Sequence, residues 1–135
     1  MKSIVIADAS VLLTALFGSN DRTATKLNRL LHDDASLVHI LPFTIIEFAN
    51  GVRFSTRDVP AATRILKQFN ALTLPVMEIT SADVQAIVEL SYRLDTTVYD
   101  TAYHHMALMQ GGVFVTCDKG YFKKASTLGH VELWG

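Results

Sequence analysis

The feature that most restricts the fold is a run of four apolar residues, Ile4-Val5-Ile6-Ala7, that ends abruptly in a carboxylate, Asp8, with a hydroxyl following at Ser10. A short apolar run without alternation suits a strand buried on both faces, the condition of a parallel strand covered by helices. The polar residue closing it is then delivered to the carboxyl edge of the sheet, where open α/β folds bind their ligands. A later run, Val113-Phe114-Val115-Thr116-Cys117, ends in the same way at Asp118.

Between these runs the chain alternates strand and helix signals. Residues 9–17 continue as a mostly apolar helix, for which Asp8 is also a candidate N-cap, and Gly18-Ser19-Asn20 breaks it. Asp21 is expected to cap a helix over 22–32, and residues 37–41 read as a second buried strand stopped by Pro42. Helical spacing returns over 43–54, and Asp58 and Pro60 open a helix over 59–72. Residues 75–79 read as a weaker strand, and Thr80 or Ser81 caps a helix running to Leu94. Asp100 opens a helix to Gln110 with Ala102, Met106 and Met109 as its core face; a short basic helix over 121–128 and a strand over 131–134 close the chain. This alternation predicts an α/β fold, a mostly parallel sheet with right-handed crossovers and helices on both faces. At 135 residues a single domain spanning 1–135 is expected.

Two further acids stand out within helices. Glu47 interrupts the apolar run Ile45-Ile46-Glu47-Phe48-Ala49, and Thr44, Glu47 and Gly51 share one helical face. An unpaired glutamate there would cost several kcal/mol, so it is either functional or half of an ion pair with an arginine. Asp100 shares a face with His104 at i, i+4 and could otherwise serve only as an N-cap; Asp118, within Asp-Lys-Gly, also suits a plain turn. In a parallel sheet all four acids can converge at the carboxyl edge. Two carboxylates 4 Å apart repel by about 4 kcal/mol at an effective dielectric near 20. A hard divalent cation removes that conflict, and all-oxygen donors suit Mg²⁺ or Mn²⁺ rather than zinc. Ser10 and Thr116 could orient the carboxylates.

Composition is compatible with this chemistry. Net charge is −1, but with four of the 13 acids gathered around a cation, 9 remain against 12 bases, which permits a polyanionic partner. No apolar run reaches the roughly 18 residues of a membrane span. Asp8 interrupts the first apolar stretch too early for a signal peptide. The single Cys117 excludes an internal disulfide. A cytoplasmic location is expected.

Ile-Ala-Asp8-Ala-Ser10, Glu47 in Ile-Ile-Glu-Phe-Ala-Asn, Tyr-Asp100-Thr-Ala-Tyr and Phe-Val-Thr116-Cys-Asp118 before a basic helix occur in order over nearly the whole chain. In this the sequence resembles the PIN-domain family, and within it the VapC-like toxin ribonucleases. The resemblance implies a three-layer α/β/α sandwich and an endoribonuclease dependent on one or two Mg²⁺ or Mn²⁺ ions. Asp8, Glu47, Asp100 and Asp118 would be its catalytic metal ligands, supported by Ser10 and Thr116. It also implies a homodimer and a cognate antitoxin protein. His104-His105 departs from the small or aliphatic residues more usual there, so His104 is a candidate neighbour of the site, with a packed histidine as the plainer reading.

Lys119, Lys123 and Lys124 beside Asp118, and Arg53 beyond Glu47, are candidate RNA contacts of the sequence-blind, salt-sensitive kind, or ordinary surface charge. The segment 43–72 could offer an apolar groove to an antitoxin helix or a second subunit, or be plain core. Two alternatives stay open. A haloacid-dehalogenase-like phosphatase would use Asp8 as nucleophile, but a second aspartate, its usual partner, is replaced by Ser10. A catalytically inert module of the same fold would not need all four acids.

Overall fold

Alternation along two short strands builds the molecule from the inside. In the computed structural model, which describes residues 3–18 and 20–135, Val5 and Ala7 of β1 (Val5–Ala7) enter one apolar cluster and Ile6 enters another. Val115 and Phe114 of β3 (Val113–Thr116) divide in the same way. Successive strand side chains point to opposite faces, so the sheet has two dry faces and needs helices on both.

Those helices are α1 (Ala9–Leu16), α2 (Asp21–Asp34), α3 (Thr44–Ser55) and α4 (Val59–Ala71) on the first face, and α5 (Ser81–Leu94), α6 (Val98–Gln110) and α7 (Lys119–Ala125) on the second. With β2 (Val38–His39) and β4 (Val131–Leu133), the sheet runs β2-β1-β3-β4, parallel throughout. Val5 stands opposite both Val38 and Val113, and Val115 opposite Glu132. The expected three-layer α/β/α sandwich is what forms. Phe48 of α3 stacks on Phe69 of α4 with ring centroids 4.5 Å apart, closing the first layer.

Several local expectations are corrected. Residues 75–79 form no strand; Ile40 and Val76 make a lone parallel bridge, fastened by Ile40 N–H to Pro75 O and Met77 N–H to Ile40 O. Pro75 has no N–H to carry a ladder further. Asn20, not Asp21, caps α2, accepting from Arg22 and Thr23 N–H, and Asp21 moves into the first turn, where its charge suits the helix dipole. Ser19, within the expected helix break, lies outside the described residues. Asp58 occupies the N-cap position of α4 without a side-chain bond to the helix. Thr80 caps α5 in a reciprocal capping box with Asp83. Met109 is 64% exposed, because the middle of α6 is buried all round from Thr101 to Ala107, which hides its helical stripe, while its last turn stands clear. Helix α6 also starts earlier than expected, at Val98, with Thr97 as its cap.

Candidate active site

Parallel strands and their crossovers bring four chain segments to one edge. Strand β1 ends at Asp8 and β3 runs out toward Asp118, while the helices that follow or precede strands here, α3 and α6, begin at this edge with Glu47 and Asp100 in their first turns.

Asp8 is the most enclosed, 5% exposed. It caps α1 by accepting Val11 N–H at 3.1 Å on Oδ1. Ser10 Oγ donates to the same oxygen at 2.5 Å, and Thr116 Oγ1 donates to Oδ2 at 2.6 Å. Ser10 is itself held by Cys117 N–H at 3.0 Å, and Thr116 by Asp118 N–H at 3.0 Å, so the two hydroxyls clamp the carboxylate between β1 and β3. Burial pushes the Asp8 carboxyl up to about 6; the three donors oppose this, and the Asp100 charge adds to it. Asp8 is therefore a helix cap and, at the same time, a carboxylate held at the carboxyl edge of the sheet.

Glu47 is not paired with an arginine. Tyr103 Oη donates to its Oε1 at 2.6 Å. Burial raises its pKa, the Tyr103 bond lowers it, and Asp100 raises it again. Asp100 is not the cap of its helix: Thr97 takes that role, accepting Asp100 N–H at 3.1 Å. Burial and then the Asp118 charge raise the Asp100 pKa, opposed by a bond from Thr97. Asp118 caps α7 through Tyr121 N–H at 3.0 Å and is exposed. Asp100 is thus the shared neighbour: its charge acts on Asp8 and Glu47, and that of Asp118 acts on it.

The donor set is all oxygen, and three of its carboxyls are held in their acid form more strongly than usual by burial and by one another. Those are the donors a hard divalent cation takes and the repulsion it relieves. Among the described residues no three acidic, histidine or cysteine side chains close into a ready-made chelate; the acids form an electrostatically coupled group rather than a finished cage.

Asp100 and Asp118 line a cleft of about 480 Å³ together with Thr97, Tyr121 and Lys124. Lys124 Nζ is tied to Asp95 O at 2.6 Å and lies 3.7 Å from Asp95 Oδ2. Lys119 and Lys123 are exposed on α7. Arg53 lines a different groove, with Thr56, Arg57 and Asp58, and its guanidinium lies over the Phe54 ring. His104 is fully buried. Its Nε2 faces Gly129 O at 2.7 Å; a carbonyl only accepts, so Nε2 carries the proton and Nδ1 accepts from Tyr121 Oη at 2.8 Å. His104 thus reaches the cleft only through Tyr121. His105 bonds to Asp83 of α5 at 3.2 Å.

Sequence reasoning missed Tyr103 and Tyr121. Each stands three residues after a site aspartate in a helix, the spacing that could have marked them.

A parallel α/β/α sandwich with carboxylates gathered at its carboxyl edge defines the class. The chain belongs to the PIN domain family, whose model matches residues 5–128. No curated protein sequence matches the chain significantly. Among solved structures, VapBC2 from Rickettsia felis bound to a DNA fragment from their promoter is similar, with TM-score 0.73 at 18% identity over 98% of this chain and 99% of that one. A toxin-antitoxin complex from Klebsiella pneumoniae has TM-score 0.71 at 14% identity over 97% and 98%. PAE2754 from Pyrobaculum aerophilum has TM-score 0.70 at 24% identity over 92% and 87%. At these identities the likeness is one of fold.

Proposed function

We propose that this PIN domain is a Mg²⁺- or Mn²⁺-dependent endoribonuclease of the VapC-like kind, acting in the cytoplasm as the toxin of a type II toxin-antitoxin pair. The observation that carries the reading is the gathering of Asp8, Glu47, Asp100 and Asp118 at one sheet edge, two of them where β1 and β3 end and two in the first turns of α3 and α6. In this reading Asp8, Glu47 and Asp100 hold the cation, and Asp118 holds it directly or through water. A bound divalent cation supplies a water acidic enough to attack phosphorus near neutral pH and neutralises charge on the phosphate oxygens.

The protein's own part is to hold and shield. Ser10 and Thr116 fix the Asp8 carboxylate, leaving room on Oδ2 for one more contact. Lys124, beside Asp118 in the cleft wall, and Lys119 and Lys123 on the exposed side of α7 attract the RNA backbone without reading sequence. Arg53 and Arg57 would extend that attraction along the α3–α4 groove. Among the described residues no side chain stands out as a dedicated base, so proton removal falls to one of the carboxylates.

An antitoxin partner and a homodimer are part of the reading. Solved neighbours include a toxin-antitoxin complex. In addition, α3 and α4 leave large apolar side chains uncovered, with Ile46 at 71%, Phe54 at 77% and Val59 at 74% exposure. Family membership removes the basis for the phosphatase alternative. The test is incubation with total RNA and Mn²⁺ or Mg²⁺. Discrete fragments that vanish with EDTA support the nuclease; intact RNA, with no thermal shift on adding Mn²⁺, leaves an inert module of this fold.

A further inference from the structure

Tyr103 is 0% exposed, its ring stacked on Phe114 and edge-on to Phe43. Its hydroxyl meets two groups: Glu47 Oε1 at 2.6 Å and Thr44 Oγ1 at 2.8 Å. Thr44 in turn accepts Leu41 N–H at 2.9 Å. Each hydroxyl has one proton to give. The carboxylate can only accept, so the Tyr103 proton goes to Glu47. The Thr44 proton then goes to the Tyr103 oxygen. The polarity of the chain is settled: Leu41 N–H, Thr44 O–H, Tyr103 O–H, Glu47 carboxylate. The two hydroxyls, Thr44 and Tyr103, each accept one bond and donate one, the arrangement in which hydrogen bonds reinforce each other.

This relay starts on the backbone just past β2, crosses to α6 and returns to α3. It also sits one helical turn from Asp100 on α6. Nothing among the described residues donates to Glu47 Oε2. A residue serving only the core would not need this: phenylalanine fills the same space without a buried hydroxyl to satisfy.

We propose that Tyr103 is a positioning residue of the acidic centre, holding Glu47 by one oxygen so that the other is presented to a divalent cation. This rests on the metal-dependent reading of the centre. Tyr103 touches neither cation nor substrate; it acts through Glu47, and it links the placement of Glu47 to that of Asp100, since Asp100 and Tyr103 ride on one helix.

The test is calorimetric titration of Mn²⁺ into wild-type protein, Tyr103→Phe, Glu47→Ala and the double variant, with folding checked by circular dichroism. Tyr103→Phe is expected to weaken Mn²⁺ binding roughly 10- to 100-fold, as removal of a ligand's supporting hydrogen bond does elsewhere. In the Glu47→Ala background it is expected to change nothing further. Thr44→Val, which leaves the tyrosine ring in place, should weaken binding by less, and it carries the cycle if Tyr103→Phe does not fold. Wild-type affinity in Tyr103→Phe, or the same loss with and without Glu47, overturns the proposal. Absence of Mn²⁺ binding by the wild type overturns the metal reading itself, a failure visible before any variant is compared.

Discussion

Thr116 Oγ1 donates to Asp8 Oδ2 at 2.6 Å across two neighbouring parallel strands, between residues 108 positions apart in the sequence. The bond joins the ends of β1 and β3 at the level where both chains leave the sheet, and its donor is fully buried. Hydrogen bonds to a charged group are worth about 1.5–3 kcal/mol. Thr116→Val keeps the shape and removes the donor. RNA cleavage is expected to fall about 10- to 100-fold, measured as initial rate at saturating Mn²⁺, with Ser10→Ala giving a loss of the same kind. Unchanged rates in both variants would detach the hydroxyls from the chemistry.

Asp8 should make the metal-free protein sensitive to pH. Its folded-state pKa, about 6, lies above the ordinary 3.8. Between these values the native state holds more protons than the unfolded one, so this group's contribution to stability falls as pH rises through the window and stays low above it. In EDTA, Asp8→Asn is expected to raise the melting temperature at pH 7.5 and to flatten its dependence between pH 4 and 6. The same variant should lose the stabilisation that Mn²⁺ gives the wild type. Melting curves with and without metal check both halves.

His104 works in the opposite sense. Burial, followed in effect by the His130 charge, lowers its pKa against the pull of the Gly129 carbonyl. The unfolded chain therefore binds the proton more readily, and stability from this group is complete above the unfolded value near 6.5 and is lost as pH falls below it. His104→Gln is expected to cost stability at pH 7.5 and to cost less at pH 5. A penalty independent of pH would mean that the ring serves only as packing.

Gly51 sets the distance between the helices that carry Asp8 and Glu47. A β-carbon there would collide with the Leu13 side chain of α1. Alanine gains up to ~1 kcal/mol of helix propensity, but overpacking typically costs about 1–3 kcal/mol. Gly51→Ala is expected to be destabilising on balance and to reduce cleavage, and Leu13→Ala in the same chain should restore part of both. Chemical denaturation with parallel activity assays reads the two effects.

Asp8 and Glu47 were legible singly, because a carboxylate ending a buried strand or set in the apolar face of a helix is costly unless used; Asp100 and Asp118, each also suited to a plain cap or turn, were legible only as members of the set. Their convergence followed from strand parallelism, which alternation alone predicts. The rest depended on contacts between distant segments. That Glu47 is held by Tyr103 rather than an arginine required knowing that α3 and α6 meet. That Thr97 relieves Asp100 of capping was hidden because either residue suits the position. Met109 misled because α6 is buried on every side at its centre, and the strand over 75–79 failed because one bridge beside Pro75 looks, in sequence, like the start of a ladder.

Thermal melts of wild-type protein and Asp100→Asn with Mn²⁺ against EDTA decide whether the four acids form one cation centre organised about Asp100. A clear Mn²⁺-dependent rise is expected for the wild type and its loss in the variant, which in EDTA is no less stable because a repelling charge is gone. An equal Mn²⁺ response from both proteins would contradict it.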